Sequence, residues 1–288
     1  MARERVAFLG GGRREAAAAA RLRAAGLETV EIRRAAGWDE SAAARALARA
    51  EALVLPVASV GARLEADEDG KPAWSLDGLL EHLPGGAPLL FGRRPEGAAR
   101  PLFERLARDH PLHPLLERDD FAWLNAVPTA EGAVVAAAEQ LERTIRGSRA
   151  LVLGYGRTGS TLARLLAAMG ARTLVLARSP AARAQARAAG HEAAPVGALS
   201  PALAGEADLL FNTVPAPLLT PDLFAVRPEL PVLDLASAPG GLHPALRGRP
   251  PRGYRLLPAL PERYAPASAG EALAQVLLEI LRGDGERG

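Results

Sequence analysis

Residues 154–159, Gly154-Tyr155-Gly156-Arg157-Thr158-Gly159, have the residue types and spacing of a turn that cradles phosphates. Glycine at the first place permits a tight reversal. At the third it lets the backbone approach a pyrophosphate, and at the sixth it lets a helix pack closely on a strand. The chemistry served is hydride transfer: the turn holds a dinucleotide, and the following helix directs its unpaired N–H groups and positive dipole end at the phosphates. A GxGxxG string alone is a weak signal, so the flanking residues decide. Upstream, Ala150-Leu151-Val152-Leu153 reads as a buried parallel strand. Downstream, Leu162, Ala163, Leu165, Leu166 and Met169 share a helical face, Gly170 stops the helix, and Thr173-Leu174-Val175-Leu176 begins a second strand. All six residues of the turn are therefore candidate cofactor contacts.

The end of that second strand selects the dinucleotide. A site for NAD places Asp or Glu roughly 20 residues beyond the glycines, on the ribose hydroxyl. Here Arg178 and Ser179 stand there. A guanidinium suits a 2′-phosphate, which it can grip bidentately with the serine hydroxyl assisting, so NADP(H) is expected ahead of NAD(H). Further strands are expected over residues 207–214, ending in Asn212-Thr213-Val214-Pro215, and over 231–235, running into Asp234 and Ser237. Ligands in such sheets lie beyond the C-terminal strand ends. Asn212, Thr213, Pro215 and Ser237 are thus candidates for the nicotinamide and substrate side, and Asp234 for a structural strand-end acid.

These elements need a scaffold, and 288 residues are enough for two domains. Val6–Leu9 reads as a first strand, closed by Gly10-Gly11-Gly12 and an alanine-rich helix; strands near 28–32, 52–56 and 88–92 alternate with helices. The Gly10–Gly12 segment reads as a tight strand-to-helix turn rather than a second phosphate site. Residues 65–75, with Lys71, read as a hairpin or loop, and 76–83 as a short helix. Residues 109–125 look linker-like. A long helix is expected from Pro128 to about Ile145, with proline at its first turn, bridging the domains. The fold class is α/β: two Rossmann-like, doubly wound domains with an interdomain cleft. Their expected bounds are 1–122 for an N-terminal substrate domain and 123–267 for the NADP-binding domain, with a last helix at 268–283 packing back on the first.

Composition excludes several chemistries. No cysteine is present, which removes disulfides and thiolate nucleophiles, and Lys71 is the only lysine available for a Schiff base. His82, His110, His113, His191 and His243 show no paired-ligand spacing, so no metal site is expected. Net charge is +2 with acidic and basic residues interspersed, which gives nucleic-acid binding little support. Neither a run of ~20 apolar residues nor a signal-peptide pattern is seen, and a cytoplasmic location is expected.

The stretches FLGGGRRE, LVLPVASVG, ERDDFAWLNAVPTAEGAV, TIRGSRALVLGYGRTGSTLARLLAAMGA, VLARS, FNTVPAPLL, DLASAPGG and APASAGEAL occur in this order. Together they resemble the dipicolinate synthase A-subunit family over nearly the whole chain. The Asn-x-x-Pro-Thr-x-Glu-Gly segment ahead of GxGRTG is quite specific to it. The resemblance implies a fold similar to the D-2-hydroxyacid and alanine dehydrogenases. It also implies formation of pyridine-2,6-dicarboxylate from a substrate derived from 4-hydroxy-tetrahydrodipicolinate, for endospores, in the mother-cell cytoplasm. The partner it implies is a flavoprotein-like B subunit. A homo-oligomer is expected as well. Two segments depart from the family pattern: its first turn usually reads Gly-Gly-Asp-x-Arg-Gln, where this chain has Gly12 and Glu15 but keeps Arg14. Near the C-terminus Ala259, Glu262 and Ala267 stand at the family's glycine and lysine places.

Aromatising a dihydropyridine dicarboxylate needs a hydride acceptor, groups that hold two carboxylates, and an outlet for a ring proton. Arg14 and Arg118 are the candidate carboxylate clamps. Asn125 and Thr129 are placed to hold a carboxylate at the start of the bridging helix, and Glu131 in its first turn is the candidate general base. Asp119 and Asp120 are weaker candidates for that role. Two alternatives remain: a 2-hydroxyacid-type dehydrogenase, which needs a late histidine where only His243 is found, and a non-catalytic NADP(H)-binding partner of a flavoprotein subunit.

Overall fold

Alternation along one short strand organises the first sheet. In β1 (Arg5–Leu9), Val6 and Phe8 face one side and Ala7 and Leu9 the other, and all four are buried. A strand buried on both faces must be covered by helices on both faces, as in parallel α/β sheets. The computed structural model describes residues 5–33, 40–58, 78, 80–95 and 100–283. The hairpin or loop expected around Lys71, and residues 76, 77 and 79 of the short helix expected at 76–83, lie outside these residues. The chain divides into two units, Met1–Asn125 with Pro261–Gly288, and Ala126–Leu260.

In the first unit β1 is followed by α1 (Arg13–Ala24), β2 (Glu28–Ile32), α2 (Glu40–Leu47), β3 (Ala52–Val54), β4 (Leu89–Phe91), α3 (Arg100–Leu106), β5 (Leu112–Pro114) and the start of α4 (Asp119–Ala138). The strands are all parallel, in the order β2-β1-β3-β4-β5. The second unit continues with β6 (Arg149–Leu153), α5 (Arg157–Ala168), β7 (Arg172–Ala177), α6 (Pro180–Ala188), β8 (Glu192–Pro195), α7 (Pro201–Glu206), β9 (Leu209–Asn212), α8 (Pro221–Val226), β10 (Val232–Asp234) and β11 (Tyr254–Leu256). Its order is β11-β10-β9-β6-β7-β8, again all parallel. Each sheet is doubly wound, and its order reverses once: between β1 and β3 in the first unit, between β6 and β9 in the second. Those reversals are where such sheets leave room for ligands.

The chain then returns to the first unit through α9 (Leu260–Tyr264) and α10 (Pro266–Arg282). Leu273, Val276, Leu277 and Leu281 of α10 join Ala18, Ala19 and Leu22 of α1 over the Val6/Phe8 face of the sheet. Gly270 makes that crossing close: a Cβ there would stand 2.8 Å from the Arg14 carbonyl oxygen and 2.9 Å from the Ala18 nitrogen. Each fully buried leucine or phenylalanine in these faces contributes about 1.5–3 kcal/mol.

Two strands and one helix bear most on how the sequence expectation fared. β5 and β8 are edge strands that carry Pro114 and Pro195; proline is tolerated at a sheet edge because no neighbour needs its missing N–H. The bridging helix is the larger difference. It starts at Asp119 rather than Pro128 and ends at Ala138 rather than near Ile145, so Pro128 lies in its interior. Proline there removes the bond to the carbonyl four residues back. Asp119 and Asp120 in the first turn favour the earlier start, and burial of Phe121, Ala126, Ala130 and Ala133 holds the helix through the proline.

Candidate functional site

The turn after β6 is built by its neighbours. Gly154 has φ +93°, a region open to glycine. A side chain there would also strike the Thr213 hydroxyl and come within 2.9 Å of Val214 Cγ2. Gly159 lies in the first turn of α5, and a Cβ on it would meet the Gly154 carbonyl carbon at 2.9 Å, its oxygen closer still, and Thr213 Oγ1 at 3.2 Å. Gly156 is different: a Cβ there would meet nothing within 4 Å. The first and last glycines therefore serve the protein's own packing, while the middle one faces open space at the N-terminus of α5. A pyrophosphate needs that arrangement, so the residues fit a dinucleotide.

Thr213 forms the underside of the turn. Its hydroxyl donates to the Leu153 carbonyl at 2.8 Å and its N–H to the same oxygen at 3.0 Å. Asn212 is fully buried; its Nδ2 donates to Val214 O (3.0 Å) and to Asp234 Oδ1 (2.7 Å), and its Oδ1 accepts the Val214 N–H (3.1 Å). Both side chains, expected beside a nicotinamide ring, are instead turned inward and shape the loop that carries exposed Pro215. Asp234 is the hub, as a strand-end acid should be. Besides Asn212 it accepts the N–H groups of Ala236 (3.1 Å) and Gly241 (2.6 Å) and the Tyr254 hydroxyl (2.9 Å), which ties together the ends of β9, β10 and β11. Burial, the Asp234 charge and that hydrogen bond push the Tyr254 hydroxyl well above the usual tyrosine range. Ser237 is exposed on the loop beyond β10.

Arg178 is exposed at the end of β7, and Ser179 caps α6 by accepting the Ala182 N–H at 3.4 Å, which leaves its hydroxyl proton to donate elsewhere. Two residues that the sequence did not single out stand near this end of the sheet or against the turn. Arg183 donates from Nη1 to Ala177 O (2.9 Å) and Arg178 O (2.7 Å). His191 is buried, its Nε2 has no hydrogen-bond partner, and its ring meets the Tyr155 ring edge-on with centroids 6.1 Å apart. Burial, together with the Arg164 charge, lowers the His191 pKa, and burial raises that of Tyr155. Spacing rules for paired metal ligands do not reveal an aromatic contact of this kind; the only signal was a histidine at a helix-to-strand turn.

In the first unit the order reversal carries a buried ion pair. Glu15 accepts the Gly12 N–H (3.0 Å), the Val57 N–H (3.1 Å) and Arg14 Nε (3.2 Å). Burial raises its pKa, but Arg14 and the backbone donors outweigh that and hold it below the ordinary value. Glu262 accepts the Arg13 N–H at 3.1 Å, and its carboxylate fills the space that any side chain at position 12 would need. Carboxylates of the chain thus already occupy the N-terminus of α1, which agrees with Gly10–Gly12 being a structural turn. Arg14 itself is 2% exposed, and its Nη2 is buried without a hydrogen-bond partner. A buried guanidinium with an unused donor is costly unless an acceptor arrives.

The remaining candidates separate. Arg118 forms a bidentate pair with Asp120, Nε–Oδ1 3.1 Å and Nη2–Oδ2 2.5 Å, so its fork already holds a carboxylate. That pair, with burial opposing it, keeps the Asp120 pKa low. Asn125 and Thr129 are half-buried one helical turn apart on α4, whereas Glu131 is exposed and two positions on from Thr129, close to the opposite side of the helix. Nor does Glu131 occupy a first turn. With the helix starting at Asp119, it lies in the middle, where the N-terminal dipole has little hold. Among the described residues no cluster of three or more His, Asp or Glu side chains is arranged to hold a metal ion.

Fold and turn together define the class: a two-unit α/β protein with a nicotinamide-dinucleotide-binding domain of the dehydrogenase kind. Residues 121–226 match the family described as D-isomer specific 2-hydroxyacid dehydrogenase, NAD binding domain. Within that class the chain resembles the A subunit of dipicolinate synthase. The one from Bacillus subtilis (strain 168) is 39% identical over 168 residues, 58% of this chain and 56% of that protein, so the matched sequence spans little more than half of the relative. The crystal structure of the same subunit from Bacillus halodurans superposes with TM-score 0.79 at 26% identity, covering 96% of this chain and 97% of that one. The crystal structure of the Bacillus subtilis protein gives TM-score 0.77 at 26% identity, covering 98% and 97%. Among the described residues no helix is long and apolar enough to cross a membrane.

Proposed function

We propose that this chain is an NADP-dependent oxidoreductase that dehydrogenates a dihydrodipicolinate, derived from 4-hydroxy-tetrahydrodipicolinate, to pyridine-2,6-dicarboxylate. It would serve in a dipicolinate synthase, beside a B subunit, in the mother cell of a sporulating bacterium. The observation that carries the reading is the full-length likeness to dipicolinate synthase structures, coupled with a glycine turn whose middle residue is left open. When bound, the nicotinamide would accept a hydride from one ring atom of the dihydropyridine while a proton leaves the neighbouring atom, so that two hydrogens are lost in all and the ring becomes aromatic.

This chain's own residues divide the remaining tasks. The Gly156 backbone and the start of α5 bind the pyrophosphate, with Tyr155, Arg157 and Thr158 lining it. Arg178 and Ser179 favour the 2′-phosphate. In the first unit Arg14 offers Nη2 to a substrate carboxylate, a charge-assisted bond that ends its isolation. Asn125, Thr129 and Ser237 are proposed hydrogen-bond donors to substrate, and the ring proton is proposed to leave to water, since Glu131 lies on the far side of α4 from Asn125 and Thr129. Because the product is aromatic, orientation is expected to supply most of the acceleration. The 2-hydroxyacid alternative needs a late histidine as acid and base; His243 Nδ1 accepts the Ala245 N–H at 3.3 Å and caps a short helical turn.

The test is direct. Purified chain, NADP+ and freshly generated substrate are mixed, and the absorbance of the pyridine dicarboxylate is followed. Growth without a partner supports the enzyme. Growth only on addition of the B subunit supports a non-catalytic NADP(H)-binding role, and no growth in either case rejects the proposal.

A further inference from the structure

We infer that Arg183 is a specificity-determining residue: with Arg178 it forms a clamp for the 2′-phosphate monoester of the dinucleotide. This rests on the dinucleotide reading above and adds to it the residue that fixes the geometry.

Arg183 differs from a solvated surface arginine. It is half-buried, and its Nη1 is held by the carbonyls of Ala177 and Arg178, the last residue of β7 and the one after it. A guanidinium has more N–H donors than these two bonds use. The group is thus locked at the strand end with donors to spare, and little side-chain freedom is left to lose when a ligand binds. The bond to the Arg178 carbonyl also sets the backbone from which the exposed Arg178 side chain leaves. One arginine is therefore fixed, and it orients the chain that carries the other.

The electrostatics agree. From Arg178 to His191 the chain contains Arg178, Arg183 and Arg187 and no carboxylate. A ribose 2′-hydroxyl would find no acidic acceptor in this stretch, whereas a dianionic phosphate would meet two guanidinium groups and the Ser179 hydroxyl. Arg187 is turned elsewhere, its Nη2 donating to Ala193 O at 2.8 Å.

The experiment is calorimetric titration of the full chain with NADP+, NAD+, adenosine 2′,5′-bisphosphate and 5′-AMP, repeated on Arg183→Gln and Arg183→Lys, with thermal melting of each. Arg183→Gln is expected to weaken NADP+ and the bisphosphate by about tenfold or more, the usual effect of a lost bond to a charged group. NAD+ and 5′-AMP should stay within about threefold, and Arg183→Lys should recover part of the loss. Equal losses for phosphorylated and unphosphorylated ligands would mean that Arg183 only braces the strand end, and overturn the clamp. So would unchanged NADP+ binding. If the parent chain binds neither coenzyme, the dinucleotide reading itself fails, a result distinct from both.

Discussion

Gly156 and Gly159 stand in the same turn, yet alanine at each should do opposite things. At Gly159 the new methyl would lie 2.9 Å from the Gly154 carbonyl carbon and 3.2 Å from Thr213 Oγ1, so backbone must move. Overpacking of this kind costs about 1–3 kcal/mol. For a unit of this size that lowers Tm by about 4–12 °C, at roughly 4 °C per kcal/mol. At Gly156 the φ of −84° suits any residue and nothing lies within 4 Å of the new methyl, so Tm should hold to within about 2 °C. The same methyl would stand where a phosphate must approach. Loss of charge-assisted bonds worth about 1.5–3 kcal/mol weakens NADP+ roughly tenfold to hundredfold. Melting followed by circular dichroism and calorimetric titration with NADP+ read the two effects separately. A Gly156→Ala variant that binds NADP+ normally, or that melts as low as Gly159→Ala, would refute the assignment of open space at position 156 to a ligand.

Other perturbations test other parts. Arg178→Asp should reverse the coenzyme preference towards NAD+, as measured by the ratio of dissociation constants. Tyr254→Phe removes the hydroxyl bond to buried Asp234 and should cost about 1.5–3 kcal/mol in urea unfolding, since one acceptor of a buried carboxylate loses its donor. Glu15 has a folded pKa below its unfolded value near 4.5. The stability it contributes is therefore complete above that value and is lost as pH falls from there through the folded pKa. Glu15→Gln should be less stable at neutral pH and lose less stability on acidification; an unchanged acid limb of the pH–stability curve would contradict this.

Much of the second unit was legible because its signals are local. Glycine spacing, apolar runs and a helical face identify the strand–turn–helix–strand unit at 150–176, and the structure realises it as β6, α5 and β7. Edge strands β5 and β8 were not legible, since their prolines and alanines carry no strand signature and only pairing to β4 and β7 makes them strands. Pro128 misled in a particular way. It suits a first turn, but the apolar positions on both sides of it, from Phe121 to Ala133, outvote it by burial. That shift of nine residues in the helix start, from Pro128 to Asp119, moved Glu131 from a helix end to a helix middle. Side-chain pairings across the chain were also beyond reach. No spacing rule reveals that Glu262 closes the turn at Gly12 or that Asp234 gathers donors from three strand ends.

The most direct measurement of the central claim is a crystal structure of the chain with NADP+ and pyridine-2,6-dicarboxylate. Pyrophosphate density is expected against the Gly156 backbone, with a carboxylate oxygen within hydrogen-bond distance of Arg14 Nη2. Density for the coenzyme elsewhere, or a dicarboxylate that leaves Arg14 untouched, would contradict that claim.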